Sequence, residues 1–230
     1  MAQQRTINLA PTFGALQPQL SAACQQLGLL LTDDQQQQLL YYLQQLLVWN
    51  KAFNLTAIKD PHEALVKHIF DSLTIVPQVN AVHQAAARAK TAQTLLDVGT
   101  GAGLPAAVIA IALPTLQVTA LDSNGKKVRF IKQMVGELGL TNLQPIAERI
   151  ETHTGQYAMI TSRAFASLPD FVSQTRHCLA DNGTLLAMKG VLPTEEIAQF
   201  MATWQVQTWP LTVPQLHETR HLVQLARLNP

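Results

Sequence analysis

The sequence predicts an α/β fold, a doubly wound and mostly parallel seven-stranded sheet that follows an N-terminal helical appendage. From Thr94 onward, short apolar and β-branched runs alternate with runs of helical period. No β-like run precedes Thr94, and a glycine-rich turn joins the first strand to the next helix. We therefore expect residues 1–80 to form the appendage and residues 81–230 to form the α/β domain.

The composition is typical of a globular protein, because hydrophobic residues make up 47% of the 230 residues. The formal net charge is +1, so a nucleic-acid partner must meet a local basic patch rather than a global positive field. The two cysteines lack C-x-x-C and Cys/His spacing, which favours reduced structural thiols and no metal site. No apolar run has the length of a membrane span and no signal peptide is visible. We expect a cytoplasmic monomer with no membrane partner.

The appendage begins with helical periodicity. Pro18 suggests a helix start, and Thr32 caps a strong helix that runs to about Trp49. The glutamine run 35–38 is predicted to be the solvated face of that helix. Asp60 and the proline after it start the next helix.

Two polar groups in the appendage are candidate substrate contacts. Asn54 lies in the break between two helices, where Asx-type turns are common. Lys67, His68 and Asp71 cluster within about one helical turn. On these residues alone, a surface i, i+4 ion pair between Lys67 and Asp71 with a half-buried histidine is the better interpretation.

The stretch TLLDVGTGAG, residues 94–103, is the first strand and turn of the α/β domain. Gly99, Gly101 and Gly103 follow an apolar strand, and an apolar helical run from Leu104 comes next. Strand, glycine turn and helix open a nucleotide-binding unit, in which glycine lets the backbone approach a ligand. The G-x-G-x-G spacing differs from the G-x-G-x-x-G of dinucleotide enzymes, and a simple tight turn is the alternative.

Asp122 ends the second strand, QVTAL, and follows the glycines by about twenty residues. An acid at this position accepts hydrogen bonds from ribose hydroxyls. The alternative is that Asp122 caps the following helix. Together with the glycines, Asp122 favours a ligand that contains adenosine.

The remaining elements alternate between helix and strand. Helices are predicted over 126–138 and 168–179 and from Pro193; strands over 143–147, 158–161, 184–188, 206–209 and 221–228, with a turn at Asn182-Gly183. Parallel strands place their carboxyl ends at one edge. That edge is predicted to carry the glycine loop, Asp122, residues 148–151, Arg163 and Lys189.

Several stretches in this order resemble one family of class I S-adenosylmethionine-dependent methyltransferases. They are WNKAFNLTAI, DPHEALVKHIFDSL, LLDVGTGAGLP, LDSNGKKVRF, TSRAFASL, LLAMKG and the terminal RHLV. The family is the 16S ribosomal RNA guanine-N7 methyltransferases, also called glucose-inhibited division protein B, and the resemblance runs from about Leu27 to the end. Ala106 stands where the family usually has a further glycine, a change small enough that we expect no loss of activity.

The resemblance implies S-adenosylmethionine as methyl donor and 16S rRNA or the small ribosomal subunit as substrate. It implies that Gly99 and Leu104 contact the cofactor, that Ile150 and Glu151 flank its adenine, and that Arg163 belongs to the catalytic site. Gly101 and Asp122 join this set from the strand-and-loop pattern. Candidate substrate-binding residues are Asn54, Lys67, His68, Lys126, Lys127, Arg129 and Lys189.

The chemistry of this reaction suits the sequence. Guanine N7 has a lone pair and no proton, so it attacks a sulfonium methyl without a general base. The fourth strand ends in TSRAF rather than the (D/N)PPY of enzymes that methylate exocyclic amines, and neither cysteine stands at a strand end. Arg163 suits the guanine edge, the cofactor carboxylate or a phosphate.

Three other functions are weaker. A methyltransferase acting on a small metabolite would use the appendage as a lid. A nicotinamide oxidoreductase is disfavoured by the glycine spacing. A non-enzymatic RNA-binding module would leave the glycines and Asp122 without a role.

Overall fold

The computed structural model describes residues 7–89, 91–163, 165 and 167–227. Parts of the predictions fall outside these described residues, namely residues 1–6 of the appendage, Lys90, Ala164 and Ala166 of the TSRAFASL stretch, and Leu228 of the last strand.

The described part of the appendage consists of helices joined by short non-helical segments. Its helices are α1 (Pro11–Gly14), α2 (Gln17–Gln26), α3 (Asp33–Phe53), α4 (Pro61–Ala64), a π-helical turn (Leu65–Phe70), α5 (Asp71–Leu73) and α6 (Val76–Arg88). The division of the chain at residue 80 stays a prediction, and α6 runs through that position.

Helix α3 begins with the predicted cap. Thr32 Oγ1 accepts from the Gln35 amide, and the Gln35 side chain accepts from the Thr32 amide, which completes a capping box. The predicted solvated face of the glutamine run is wrong at two positions. Gln36 is buried and its Oε1 accepts from Ser21 Oγ at 2.6 Å, while Gln35 Nε2 donates to the Ile111 carbonyl at 2.7 Å. The Gln36 side chain thus joins α3 to α2, and the Gln35 side chain joins α3 to the α/β domain. Local sequence does not reveal these tertiary contacts.

The α/β domain contains a seven-stranded sheet in the order β3-β2-β1-β4-β5-β7-β6. The strands are β1 (Thr94–Val98), β2 (Gln117–Asp122), β3 (Leu143–Ala147), β4 (Tyr157–Ser162), β5 (Leu179–Lys189), β6 (Trp204–Pro210) and β7 (His221–Arg227). Strands β1 to β5 pair in parallel, and β7 is antiparallel to both β5 and β6. The predicted fold class is therefore confirmed.

The helices of this domain are α7 (Ala106–Ala112), α8 (Gly125–Leu138), α9 (Leu168–Thr175) and α10 (Thr194–Ala198), with 3₁₀ turns at Ile150–Thr152 and Arg176–Cys178. The predicted Asn182-Gly183 turn is wrong, because β5 continues through these residues. They lie in an irregular part of β5, where the register of its pairing with β4 shifts between Tyr157 and Met159.

Two hydrophobic clusters cover the two faces of the sheet, because neighbouring strand residues point to opposite sides. Leu95 belongs to the cluster that contains the appendage, α7 and α8, whereas Leu96 belongs to the cluster that contains α9. The appendage thus shares a continuous core with the glycine-loop side of the sheet. Cys24 and Cys178 are buried and form no disulfide, and burial raises the pKa of the Cys24 thiol to about 11.

Candidate active site

The glycine loop and Asp122 are joined by direct hydrogen bonds. The Gly101 amide donates to Asp122 Oδ2 at 2.8 Å, and the Asn124 amide donates to Asp122 Oδ1 at 2.8 Å. Gly99 and Gly101 have φ of 68° and 63°, values that favour glycine. Parallel pairing of β1 with β2 brings these two strand ends together. The alternative that Asp122 caps the following helix is wrong, because Asn124 is the N-cap and its Oδ1 accepts from the Lys126 amide at 3.0 Å.

A cavity of about 250 Å³ opens beside this loop. Its walls include four of the seven predicted cofactor residues, Gly99, Asp122, Ile150 and Glu151. Arg149 and Phe165, which were not predicted as cofactor residues, also line it. Ile150 is buried and provides an apolar wall, whereas Glu151 is exposed at the rim. A Cβ added at Gly101 would meet no protein atom within 4 Å, so the loop borders open space.

The cavity fits the adenosine part of S-adenosylmethionine. A carboxylate has about four lone-pair sites, so two backbone amides on Asp122 leave capacity for ribose hydroxyls. The apolar wall at Ile150 suits a flat base. The amides of Gly99 and Gly101 already donate within the protein, so these glycines serve by having no Cβ, which lets a ligand approach the backbone.

Leu104 and Ala106 lie on the core side of the loop. The Leu104 side chain is 4% exposed and packs in the core cluster of the appendage, while its amide donates to the Thr100 carbonyl. Ala106 is buried, begins α7, and donates its amide to Asp97 Oδ2 at 3.1 Å. The alanine therefore stands behind the loop, in the wall that packs against the sheet.

Asp97, the acid within β1, is fully buried under the loop. Its Oδ2 accepts from Thr100 Oγ1 at 2.6 Å as well as from Ala106, whereas its buried Oδ1 has no hydrogen-bond partner. Burial raises the pKa of this carboxyl to about 7, against the opposing effect of the two hydrogen bonds and of the Arg163 charge.

Arg163 stands at the end of β4, beside the glycine loop, and is held from the appendage. Its Nη1 donates to Asp71 Oδ2 at 3.0 Å and to the Lys67 carbonyl at 3.2 Å. Asp71 is 3% exposed, and its second oxygen accepts from Arg220 Nε at 3.1 Å. Asp71 therefore ties two arginines from distant parts of the chain to one buried carboxylate.

The predicted Lys67–Asp71 surface ion pair is wrong. Lys67 Nζ lies 3.3 Å from Glu63 and 3.4 Å from Glu218, while Asp71 points inward to the arginines. The helix has a π-helical turn at Leu65–Phe70, which shifts the register of the residues that follow, and Asp71, directly after it, faces the two arginines. Local spacing could not have revealed this change of register.

His68 is more buried than predicted, at 8% exposed. Its Nε2 shares a hydrogen bond of 2.8 Å with Thr56 Oγ1. Burial, and next the positive charge of Arg163, lower the pKa of His68 to about 4. The imidazole is therefore neutral near pH 7.

The predicted substrate residues fall into three groups rather than one. Lys67, His68 and Lys189 line a cleft of about 420 Å³, which the catalytic candidate Arg163 also lines. Asn54 lies in a separate groove of the appendage together with Lys51 and Lys59. Lys126, Lys127 and Arg129 lie at the start of α8, directly after the β2 end, with Lys126 and Arg129 exposed.

Two charged residues that line the cleft were not predicted as site residues, Asp71 and Arg220. The only sequence signal for Arg220 was its place in the RHLV stretch, and Asp71 looked like a surface partner of Lys67. Tyr42 of α3 was also missed. Its buried hydroxyl donates to the Ala102 carbonyl of the glycine loop at 2.7 Å.

Among the residues that the structure describes, no helix is both long enough and apolar enough to span a bilayer. No group of three or more His, Cys, Asp or Glu side chains there has the arrangement of a metal site.

Comparison with known proteins identifies the family. The family model described as rRNA small subunit methyltransferase G matches residues 35–223. The ribosomal RNA small subunit methyltransferase G of Psychrobacter cryohalolentis is 51% identical over 237 residues, 99% of this chain and 95% of that protein. The protein of the same name from Acinetobacter baumannii is 43% identical over 215 residues, 91% of this chain and 97% of that protein.

Solved structures support the fold. Magnesium protoporphyrin IX methyltransferase of Synechocystis, with S-adenosylmethionine bound, matches with a TM-score of 0.51 and 14% identity over 68% of this chain and 81% of that chain. Because the family model matches most of the chain and the relatives nearly all of it, the chain belongs to the rRNA small subunit methyltransferase G family.

Proposed function

We propose that this protein transfers a methyl group from S-adenosylmethionine to N7 of a guanine in 16S rRNA. The observation that carries the proposal is the joined glycine loop and Asp122, bordering a nucleoside-sized cavity, in a chain of this family. The substrate class comes from the names of its relatives. The monomeric state and the cytoplasmic location remain predictions.

Different cofactor-binding residues contact the ribose and the adenine, and the glycine loop contacts the ligand through its backbone. Asp122 binds the ribose hydroxyls, and the loop at Gly99 and Gly101 lies against the ligand. Ile150 and Glu151 flank the adenine, the first through its apolar side chain. Leu104 supports the loop from the core side.

S-adenosylmethionine supplies an electrophilic methyl group on a sulfonium. The protein has to place the guanine so that its N7 lone pair points at that methyl, since no proton has to be removed. Arg163 suits this position because it stands at the end of β4 next to β1, at the same edge as the loop. Its fixed guanidinium orients the base or the methyl donor.

Neutral His68 suits the product as well. N7 methylation makes the purine a cation, which an adjacent imidazolium would repel. Burial lowers the pKa of His68 far enough that the ring adds no charge at neutral pH. The basic residues at the start of α8 and at the cleft rim contact the RNA backbone.

Methyl transfer from tritiated S-adenosylmethionine to three acceptors tests the proposal. The acceptors are small ribosomal subunits from cells that lack this methylation, deproteinised 16S rRNA, and an extract of small metabolites. We expect label in the rRNA of the first or second sample. Label in metabolites alone would contradict the proposal and favour the small-metabolite methyltransferase.

A further inference from the structure

The cleft beside Arg163 combines three distant parts of the chain. The π-helical turn and α5 supply one wall, the ends of β4 and β5 supply the second, and the residue before β7 supplies the third. The polar side chains of this cleft are Lys67, His68, Asp71, Arg163, Lys189 and Arg220. The cofactor cavity shares none of these side chains, yet Phe165, two residues after Arg163, lines that cavity.

Asp71 is the centre of the cleft. A carboxylate only 3% exposed is costly to bury unless it is paired at both oxygens, and here each oxygen accepts from a different guanidinium. The side chains of Arg163 and Arg220 remain 28% and 22% exposed, so both guanidiniums still face the cleft. The arrangement is that of two cationic forks aimed by one buried acid.

We propose that this cleft holds the target guanosine nucleotide and that Asp71 is the positioning residue that aims Arg163 at the base and Arg220 at its phosphate. This inference rests on the proposed function and adds two residues to it. Arg163 is assigned to the base because Phe165, only two residues after it, lines the cofactor cavity, whereas Arg220 is far from any such residue in sequence. Arg220 is held on the outer side by Glu218, with Nη2 to Oε2 at 2.8 Å.

The chemistry of guanine fits this assignment. Its O6 is an acceptor next to N7, so one N–H donor on O6 fixes the base and leaves the N7 lone pair directed at the methyl group. A phosphate suits the outer cations. Lys189 Nζ is fixed by the Phe165 carbonyl at 3.1 Å. Arg220 has five N–H donors and uses three of them on Asp71, Glu218 and the Thr219 carbonyl, so two remain for a phosphate.

The charge of Asp71 also has a role in the reaction. Positive charge develops on the purine as the methyl is transferred, and two guanidiniums without a counterion would oppose it. Asp71 contacts both, so its negative charge offsets theirs at the point where the new cation forms. Loss of this charge should therefore slow the methyl transfer itself.

Two variants test the inference on small ribosomal subunits that lack this methylation. Asp71→Asn keeps the shape of the side chain and removes its charge. We expect kcat to fall about 100-fold, as for a misplaced catalytic group, while S-adenosylmethionine affinity by calorimetry stays within about twofold. Arg220→Gln should raise KM for the subunits about tenfold with a smaller change in kcat, and should lower the salt slope of binding by about one.

Arg227→Ala is the matched control. Arg227 lies at the other end of β7, is exposed, and donates to the Arg176 carbonyl far from the cleft. It should leave kcat and KM unchanged. Arg220→Lys should restore only part of the affinity, because an ammonium keeps the charge and loses the fork.

The outcomes separate this inference from the proposed function. If Asp71→Asn does not fold, because two half-buried arginines have lost their charged partner, Arg220→Gln still tests the inference. If the parent enzyme is active and Arg220→Gln has the same KM and salt slope as the parent, the inference is wrong while the proposed function stands. A parent enzyme that methylates no rRNA overturns the proposed function first.

Discussion

Replacing Gly103 by alanine should destabilise the protein far more than replacing Gly101. Both residues have positive φ, 80° at Gly103 and 63° at Gly101, so each substitution strains the backbone. Their surroundings differ. A Cβ at Gly101 meets nothing within 4 Å, whereas a Cβ at Gly103 overlaps the hydroxyl of Tyr42 and lies 3.2 Å from Ile131 Cγ1.

The magnitudes follow from these contacts. Alanine in the left-handed region costs about 1–2 kcal/mol, which is the whole effect expected for Gly101→Ala. At Gly103 the overlap adds roughly 1–3 kcal/mol of overpacking. Displacing the Tyr42 hydroxyl also deprives the Ala102 carbonyl of its donor, at about 1–3 kcal/mol. We therefore expect Gly103→Ala to lose at least about 2 kcal/mol more than Gly101→Ala.

Urea unfolding of a double-mutant cycle provides the assay. Tyr42→Phe removes the overlapping oxygen, so Gly103→Ala should be less costly in that background by at least about 1 kcal/mol. Gly101→Ala should be equally costly in both backgrounds. Equal destabilisation by the two glycine variants, or additivity of Tyr42→Phe with Gly103→Ala, would refute the claim that α3 packs on the glycine loop through this hydroxyl.

Three further predictions concern the cofactor, the RNA surface and pH. Asp122→Ala should weaken S-adenosylmethionine binding by about 1–3 kcal/mol in calorimetry of the folded variant; unchanged affinity would remove Asp122 from the site. Alanine at Lys126, Lys127 and Arg129 together should weaken binding to ribosomal subunits and flatten its salt dependence, with cofactor affinity unchanged; an unaltered salt slope would show that this face of α8 does not contact RNA. Because burial raises the pKa of Asp97 from 3.8 to about 7, the folded state binds the extra proton between these values, and stability falls as pH rises through this range. Urea unfolding from pH 5 to 8 should show a loss of roughly 2–3 kcal/mol relative to Asp97→Asn, and parallel curves for the two proteins would contradict the raised pKa.

The sheet was predictable because its signals are local. Strand β3 has the predicted bounds, Leu143–Ala147. The placement of the glycine loop and Asp122 at one sheet edge also followed from pattern, because parallel pairing brings the ends of adjacent strands together, but their hydrogen bond was not predicted. The turn at Asn182-Gly183 failed because a favourable turn dipeptide was absorbed into β5 by pairing with its neighbours.

The cleft was not predictable in the same way. Arg163 and Arg220 bond to Asp71 across 92 and 149 residues of sequence. Nothing near Asp71 shows that its helix turns π-helical and directs the carboxylate inward. The burial of His68, which decides its charge, depends on the same packing. Local sequence identified the residue types at this site but not their partners.

The most direct test of the account is to identify the methylated atom. Small ribosomal subunits that lack the modification would be incubated with the protein and methyl-labelled S-adenosylmethionine, and the rRNA would be digested to nucleosides and separated by mass-detected chromatography. The account predicts that the label elutes with 7-methylguanosine and that Arg163→Ala reduces it even at saturating substrate. Label in another nucleoside would contradict the account. So would unlabelled rRNA after incubation with a protein that binds S-adenosylmethionine.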